Sequence, residues 1–241
     1  MNILHLAYDM ILEALFPISP AEKWLLSLDV ESIIRQLPRA KNMPIPEACS
    51  IFSYKDERVW QMVWSVKYRK SKRAVKISSF ALHRIIQNYL LIVPKIVIIP
   101  MPVSKQRRRE RGFNQCELLT AEIKKISKEE RADHFDSNYS NHKLIFINDL
   151  LLRKKNTSRQ TLKNRTNRLQ SAHGLFQIDE KVLTQSKLEN ISFDTHQTDT
   201  EKQTMIIIID DVVTTGSTMK EAIQTMRNAG FTNTWGLSVA H

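Results

Sequence analysis

Residues 205–223 read MIIIIDDVVTTGSTMKEAI: five apolar residues run straight into two adjacent acids, Asp210 and Asp211, followed by a small polar loop and a helical pattern. A continuous β-branched run without alternation is a strand buried on both faces, which is the habit of a parallel sheet. Such sheets collect ligands outside the carboxyl ends of their strands, where this pair of acids falls. Successive strand side chains point to opposite faces, a rule the turn that follows can relax. Thr214, Thr215, Gly216, Ser217 and Thr218 then lead into the helix. Gly216 permits a tight turn, and N–H groups at a helix start bind phosphate.

One loop therefore offers phosphate capture, with acceptors for two hydroxyls beside it. That is the pattern of a ribose 5-phosphate, its vicinal hydroxyls on the acids and its phosphate on the loop. Carboxylates beside a polyphosphate also favour Mg²⁺, an oxygen-loving ion, held by Asp210 and Asp211 directly or through water. Two plainer readings compete: a Walker B strand, or a strand end with a solvated acid pair. The chain has five glycines, and none belongs to a G-x-x-x-x-G-K-[ST] loop, so the Walker B reading lacks its partner.

Outward from this stretch the pattern is strand alternating with helix, which implies an α/β fold with a mainly parallel sheet. SIFSY reads as a short strand, RVWQMVWSVKY and ISSFALHRIIQNYLL as helices, and KIVIIPMPV as a buried strand running out into a loop, SKQRRRERGFNQ. CELLTAEIKKI is a helix with Cys116, Leu119, Ile123 and Ile126 on one face, making Cys116 a packed thiol. LIFINDLLLRKK is a further strand candidate, residues 184–204 a polar excursion, and TWGLSV a closing strand. Residues 1–50 form a small helical region ending in a linker, PRAKNMPIPEA, whose prolines keep it extended. Residues 51–241 make up the main domain.

The 241 residues carry a net charge of +11, which favours an anionic ligand or partner. The two cysteines, Cys49 and Cys116, cannot build a zinc site of four cysteines, so no zinc is expected, and they suggest a reducing cytoplasm. No apolar run approaches the ~18 residues of a membrane span. The first residues lack the basic start of a signal peptide and carry a helical apolar stripe that suits packing.

The string IIIIDDVVTTGST resembles the phosphoribosyl pyrophosphate (PRPP) signature of type I phosphoribosyltransferases. PMPVSKQRRRERGFNQCELL is similar to a hallmark of one branch, the ComF-like competence proteins, as are FSYKDERVWQMVWSVKYRKSKRA, Thr157–Gln160 and Gly174–Phe176. The resemblance covers about residues 50–241. It implies a type I phosphoribosyltransferase-like fold and a site built from named positions. Asp210 and Asp211 hold the ribose hydroxyls; Val212 and Thr214 to Thr218 cradle the 5′-phosphate. Arg107, Arg108, Arg109 and Arg111 supply pyrophosphate donors, with Arg111 foremost, and Asn114 and Gln115 complete that turn. Phe113 packs the loop down. The activity implied is transfer of a phosphoribosyl group from PRPP with Mg²⁺, and the setting implied is DNA uptake. The chain departs from the family in two places. FPISPAEKW lacks the cysteines of the usual N-terminal zinc finger, and Lys163-Asn164 and Ser171 replace the more usual residues.

A binding module is the competing reading: a competence protein that engages single-stranded DNA or a helicase. Basic clusters at Lys67–Lys76, Lys105–Arg111 and Arg153–Arg168 favour it, and Trp60, Trp64 and Tyr68 interleave with the first. Those three aromatics also share one helix face, which favours core packing.

Overall fold

A computed structural model describes residues 19–133, 143–154, 174–188 and 204–241. Two short helices, α1 (Pro20–Ser27) and α2 (Val30–Gln36), precede β1 (Ala48–Phe52). Then come α3 (Glu57–Arg69), α4 (Lys72–Leu90), β2 (Lys95–Pro100), α5 (Lys105–Arg111) and α6 (Gln115–Asp133). The remainder is β3 (Lys143–Phe146), β4 (Leu151–Arg153), β5 (Phe176–Ile178), α7 (Glu180–Leu188), β6 (Thr204–Val212), α8 (Ser217–Asn228) and β7 (Thr234–Ala240).

The central sheet has five strands in the order β1-β7-β6-β2-β3, and every pairing in it is parallel. This is the α/β architecture expected from the isoleucine run, and it is consistent with a type I phosphoribosyltransferase-like fold. Period-two alternation divides each inner strand between two cores. Ile96 and Ile98 of β2, with Ile207 and Ile209 of β6, pack toward α1–α4 and α6. Val97 and Ile99, with Ile206 and Ile208, pack on the other side with Met219, Ala222 and Ile223 of α8. Each fully buried isoleucine contributes about 1.5–3 kcal/mol.

Connections from β2 and β6 diverge. The chain leaves β2 for β3 on one edge and leaves β6 for β7 on the other side. Adjacent strands whose connections part in this way open a crevice above their carboxyl ends. Pro100 pairs with Ile209 at that end, and Met101 N–H donates to the Ile209 carbonyl at 2.8 Å. The loops to α5 and α8 therefore start side by side.

Several elements differ from the sequence reading. LIFINDLLLRKK is two strands: β3 joins the main sheet, while β4 pairs antiparallel with β5 in a separate hairpin. The stretch read as a loop, SKQRRRERGFNQ, contains helix α5, capped by the Ser104 hydroxyl on the Arg107 N–H and ended by Gly112 at φ 77°. The first residues of the polar excursion, 184–188, belong instead to α7, whose preceding Val182 and Leu183 pack into the second core. The strand read as SIFSY begins earlier, so a boundary at residue 50 falls inside β1. Leu25, Ile33 and Leu37 belong to the same core as α3 and α4. The linker is extended only at its start, where Ser53 N–H donates to Pro38 O and Ala40 N–H to Ile51 O; beyond that Asn42 at φ 53° and a turn closed by Ala48 N–H on Ile45 O fold it back, against the expectation. The N-terminal apolar stripe, Thr157–Gln160, Lys163-Asn164 and Ser171 lie outside the described residues, as does most of Arg153–Arg168.

One buried polar group links α4 to α6. His83 is fully buried, with Nε2 3.0 Å from Gln87 Nε2 and Nδ1 3.5 Å from a Glu130 oxygen. Burial pushes its imidazole below the usual 6.5; Glu130 pulls the other way and Arg84 adds to the depression. The unfolded chain then binds this proton more readily than the native protein. The contribution is full above pH 6.5 and is lost as pH falls below it. His83→Gln is therefore expected to lose less stability than wild type between pH 7 and 5, read as the urea midpoint. Parallel decline of the two proteins would exclude His83 as the source.

Candidate functional site

The cleft above β2 and β6 has a volume of about 370 Å³. Its floor is the end of β6 and the loop Val213–Gly216, its wall is α5, and its rim includes Tyr54, Lys67, Tyr68 and Arg153. Asp210, Asp211, Val212, Thr214, Thr215, Gly216, Ser217, Thr218, Arg107, Arg111 and Gln115 all line it. Asn114 does not. It is buried, its amide donates to Met101 O at 3.1 Å, and its carbonyl accepts from Cys116 N–H at 2.9 Å. It fastens the start of α6 to the end of β2.

The turn before α8 has a clear local cause. Gly216 sits at φ 77°, and a Cβ there would come within 2.8 Å of Ile45 and 3.2 Å of Pro44. Both the left-handed turn and the proline-rich linker behind it therefore demand glycine. Helix α8 starts at once, with no side chain capping it. Ser217 N–H makes a long contact of 3.5 Å to Thr215 Oγ1, and the N–H groups of Thr218 and Met219 follow it at the positive end of a helix dipole. Thr214 and Thr215 are exposed beside them, and Thr215 Oγ1 lies 3.0 Å from Ser217 Oγ.

The two acids face different neighbours, as strand alternation dictates. Asp210 lies against α6: Cys116 Sγ–H donates to its Oδ1 at 3.4 Å, and Asp211 N–H donates to the same oxygen at 2.8 Å. Burial, then the charge of Asp211, pushes the Asp210 carboxyl up to about 8. Burial and both carboxylates push the Cys116 thiol well above its usual value, so it stays protonated. Asp211 turns toward α3, where Lys67 Nζ meets its Oδ2 at 3.1 Å and Val212 N–H donates to its Oδ1 at 2.9 Å.

Among the described residues, the side chains with metal-ligand atoms gathered here are Cys116, Asp210 and Asp211, within 4.8 Å of one another. They do not suit Mg²⁺. That ion wants several hard oxygens in octahedral array, whereas this set offers a protonated thiol, the Asp210 carboxyl pushed toward its protonated form and the Asp211 carboxylate already paired with an ammonium.

The helical spacing of α5 sorts its arginines. Arg107 and Arg111, four apart, face the cleft, and Arg111 Nη1 donates to Gln115 Oε1 at 2.9 Å. Arg108 turns to the other side, paired with Glu117 at 2.9 Å, and lines a second hollow of about 720 Å³ with Lys105, Arg153 and Lys154. Arg109 is exposed and lines neither. Phe113 is buried as expected, with Lys70 Nζ 4.5 Å above its ring.

Sequence reasoning missed Lys67, Tyr68 and Arg153 as cleft residues. Each was visible only as part of a basic or aromatic run. Arg153 arrives on β4, over the Phe176 ring at 5.5 Å, close enough to Arg107 and Asp210 for both charges to act on it. Its hairpin is held to α8 by Glu221, which accepts from the N–H groups of Gly174 and Leu175.

The core assignment of Trp60, Trp64 and Tyr68 is overturned. Trp60 is 43% and Tyr68 56% exposed, because Val59, Met62, Val63 and Val66 already fill the buried face of α3. The three rings form a ladder, 6.3 Å from Trp60 to Trp64 and 5.6 Å from Trp64 to Tyr68. Arg69 lies 4.9 Å over Trp64 and Arg111 5.0 Å over Tyr68. Among the described residues, no helix is long and apolar enough to cross a membrane.

The chain matches no protein-family model. It is similar to the competence protein ComFC of Bacillus subtilis (strain 168), with 31% identity over 134 residues. That alignment spans 56% of this chain and 39% of the relative's length, and the likeness supports a ComF-like protein.

Proposed function

We propose that the cleft binds PRPP or another ribose 5-phosphate ligand, and that the protein transfers the phosphoribosyl group to a nitrogen acceptor in the service of DNA uptake. The observation that carries this reading is a convergence. An uncapped helix start, an acid at a strand end and three arginines from two separate elements surround one small cleft. The loop and helix N–H groups suit a 5′-phosphate. Arg107, Arg111 and Arg153 suit a pyrophosphate, for which planar guanidinium donors are well shaped. Asp210 and Asp211 are the acceptors for the ribose hydroxyls. The link to DNA uptake rests on the similarity to a competence protein.

In that reaction the bond from C1 to the pyrophosphate oxygen breaks, its electron pair leaving with pyrophosphate. The acceptor nitrogen forms the new bond to C1 and gives up its proton. Positive charge builds on the ribose ring in between. The arginines stabilise the departing anion, and the carboxylates fix the ring. Mg²⁺ accompanies the phosphate oxygens of the ligand in this reading, rather than being gathered by the carboxylates.

Calorimetric titration with PRPP and Mg²⁺ is expected to show saturable binding to wild type and none to Asp210→Asn/Asp211→Asn. Arg111→Met should weaken binding about tenfold to a hundredfold, the range for one charge-assisted hydrogen bond of about 1.5–3 kcal/mol. Equal titrations for wild type and the double variant would sink the site. Pyrophosphate release across candidate bases and amines then separates a transferase from a silent PRPP sensor.

The exposed aromatic ladder favours a second activity, binding of single-stranded DNA, alone or alongside a competence helicase. Stacked rings with guanidinium groups over them are a platform for bases. Fluorescence anisotropy with an oligothymidine should show binding that falls steeply as salt rises. Trp60→Ala/Trp64→Ala should weaken it at least about fivefold, since stacking contributes about 1–3 kcal/mol per base. No binding at low salt would end this reading in its direct form.

A further inference from the structure

We infer that Lys67 is a built-in cation standing where a divalent metal would otherwise be drawn to the acid pair, so that the ribose end of the cleft works without a metal bound by its carboxylates. The inference deepens the ribose-phosphate reading and, in its ligand arm, rests on it.

Three of the four carboxylate oxygens of the pair already have partners. Oδ1 of Asp211 accepts from the Val212 N–H, and Oδ1 of Asp210 accepts from the Asp211 N–H and the Cys116 thiol. Oδ2 of Asp211 is buried without a hydrogen bond and has the Lys67 ammonium as its ion-pair partner. The Lys67–Asp211 contact is 3.1 Å, with the two side chains only 19% and 7% exposed. A buried pair of this kind is not easily broken, because either charge left alone would be stranded away from water. A divalent ion bridging the acids would have to displace the ammonium or sit against it.

Lys67 is also fixed from behind. It lies in the last turn of α3, which ends in a left-handed cap at Lys70. The residues after it are tied in turn: Tyr68 under Arg111, Arg69 to Glu22 at 2.7 Å, Lys70 over Phe113. The ammonium is delivered to Asp211 by a helix end anchored on α1, α5 and the turn that follows α5. An ammonium has three donors, so one that reaches Asp211 retains others for an anionic or hydroxyl-bearing ligand. Lys67 lines the cleft where such a ligand would lie.

The test has a ligand-free arm and a ligand arm, both on the full chain. In the first, Mn²⁺ is titrated and its free electron paramagnetic resonance signal followed. Wild type is expected to leave Mn²⁺ free. Lys67→Met, which keeps the length and apolar stem, should gain a Mn²⁺ site at least about tenfold tighter, and Lys67→Met/Asp210→Asn should lose it again. Mn²⁺ binding to wild type that disappears in Asp210→Asn would overturn the inference, a comparison that needs no Lys67 variant to fold. A folded Lys67→Met that gains no site would overturn it as well.

In the second arm, ribose 5-phosphate is titrated by calorimetry in EDTA and in Mg²⁺. Wild type should bind with equal affinity in both, and Lys67→Met should bind weakly in EDTA and recover with the metal. Wild-type binding that requires Mg²⁺ would refute the role of Lys67. No binding under either condition would refute the ribose-phosphate reading instead, while the Mn²⁺ arm still decides the place of Lys67.

Discussion

Strand β6 is buried on both faces, and that constraint organises the rest of the molecule. Between β7 and β2 its residues Met205 to Ile209 are apolar, and only past Ile209, where β2 ends while pairing with β7 continues, does it present polar side chains. Its first polar residues after the isoleucines are therefore the first the cleft can use. Alternation sends Asp210 toward Cys116 and Asp211 toward Lys67. Two acids adjacent in sequence thus occupy different electrostatic settings. One is pushed toward its protonated form by burial and its neighbour, and the other is held by an ammonium.

The end of α3 is the second organising element. In four successive residues it reaches the acid pair, the arginine helix, the N-terminal helices and the packed Phe113. Helix periodicity spreads these side chains around the axis, so one short turn contacts elements on several sides. Its exposed flank carries the aromatic ladder, and the last rung, Tyr68, also lines the cleft. Cleft and ladder consequently share a wall. A ligand that moves α3 would be felt in both.

The sheet, its direction and the glycine turn into α8 were legible in the sequence because they are local. A β-branched run, a pair of acids, a glycine and a helical stripe are adjacent residues with fixed geometric meaning. The burial of Cys116 followed from the same kind of local pattern. What stayed hidden depends on long-range delivery. Lys67 is far from Asp211 in sequence, and nothing in KYRKS distinguishes the lysine that turns inward from those that stay in water. Arg153 looked like one cation in a basic stretch until the β4–β5 pairing aimed it at the cleft. The aromatic ladder misled for a related reason: i, i+4 spacing reports a shared face but not which face meets the core. The decision lay with Val59, Met62, Val63 and Val66, whose stripe is the wider and more aliphatic one.

The net charge of +11 takes on a different meaning once the cations are placed. Some are spent within the fold: Arg108 on Glu117, Arg69 on Glu22, Arg58 on Asp56 and Lys67 on Asp211. Arg107, Arg111 and Arg153 instead stand around a cleft where the described acids are Asp210 and Asp211. Arg111 rests on Gln115 and Tyr68, neutral groups that orient a guanidinium without neutralising it. Proximity of like charges is costly, and burial lowers Arg153 further with Arg107 beside it. A cluster assembled from two separate elements against that repulsion stores a preference for an anion able to span it. A single phosphate at the helix start would leave the arginines unmatched, whereas a ligand carrying phosphate at both ends of a ribose would meet both sets of donors at once.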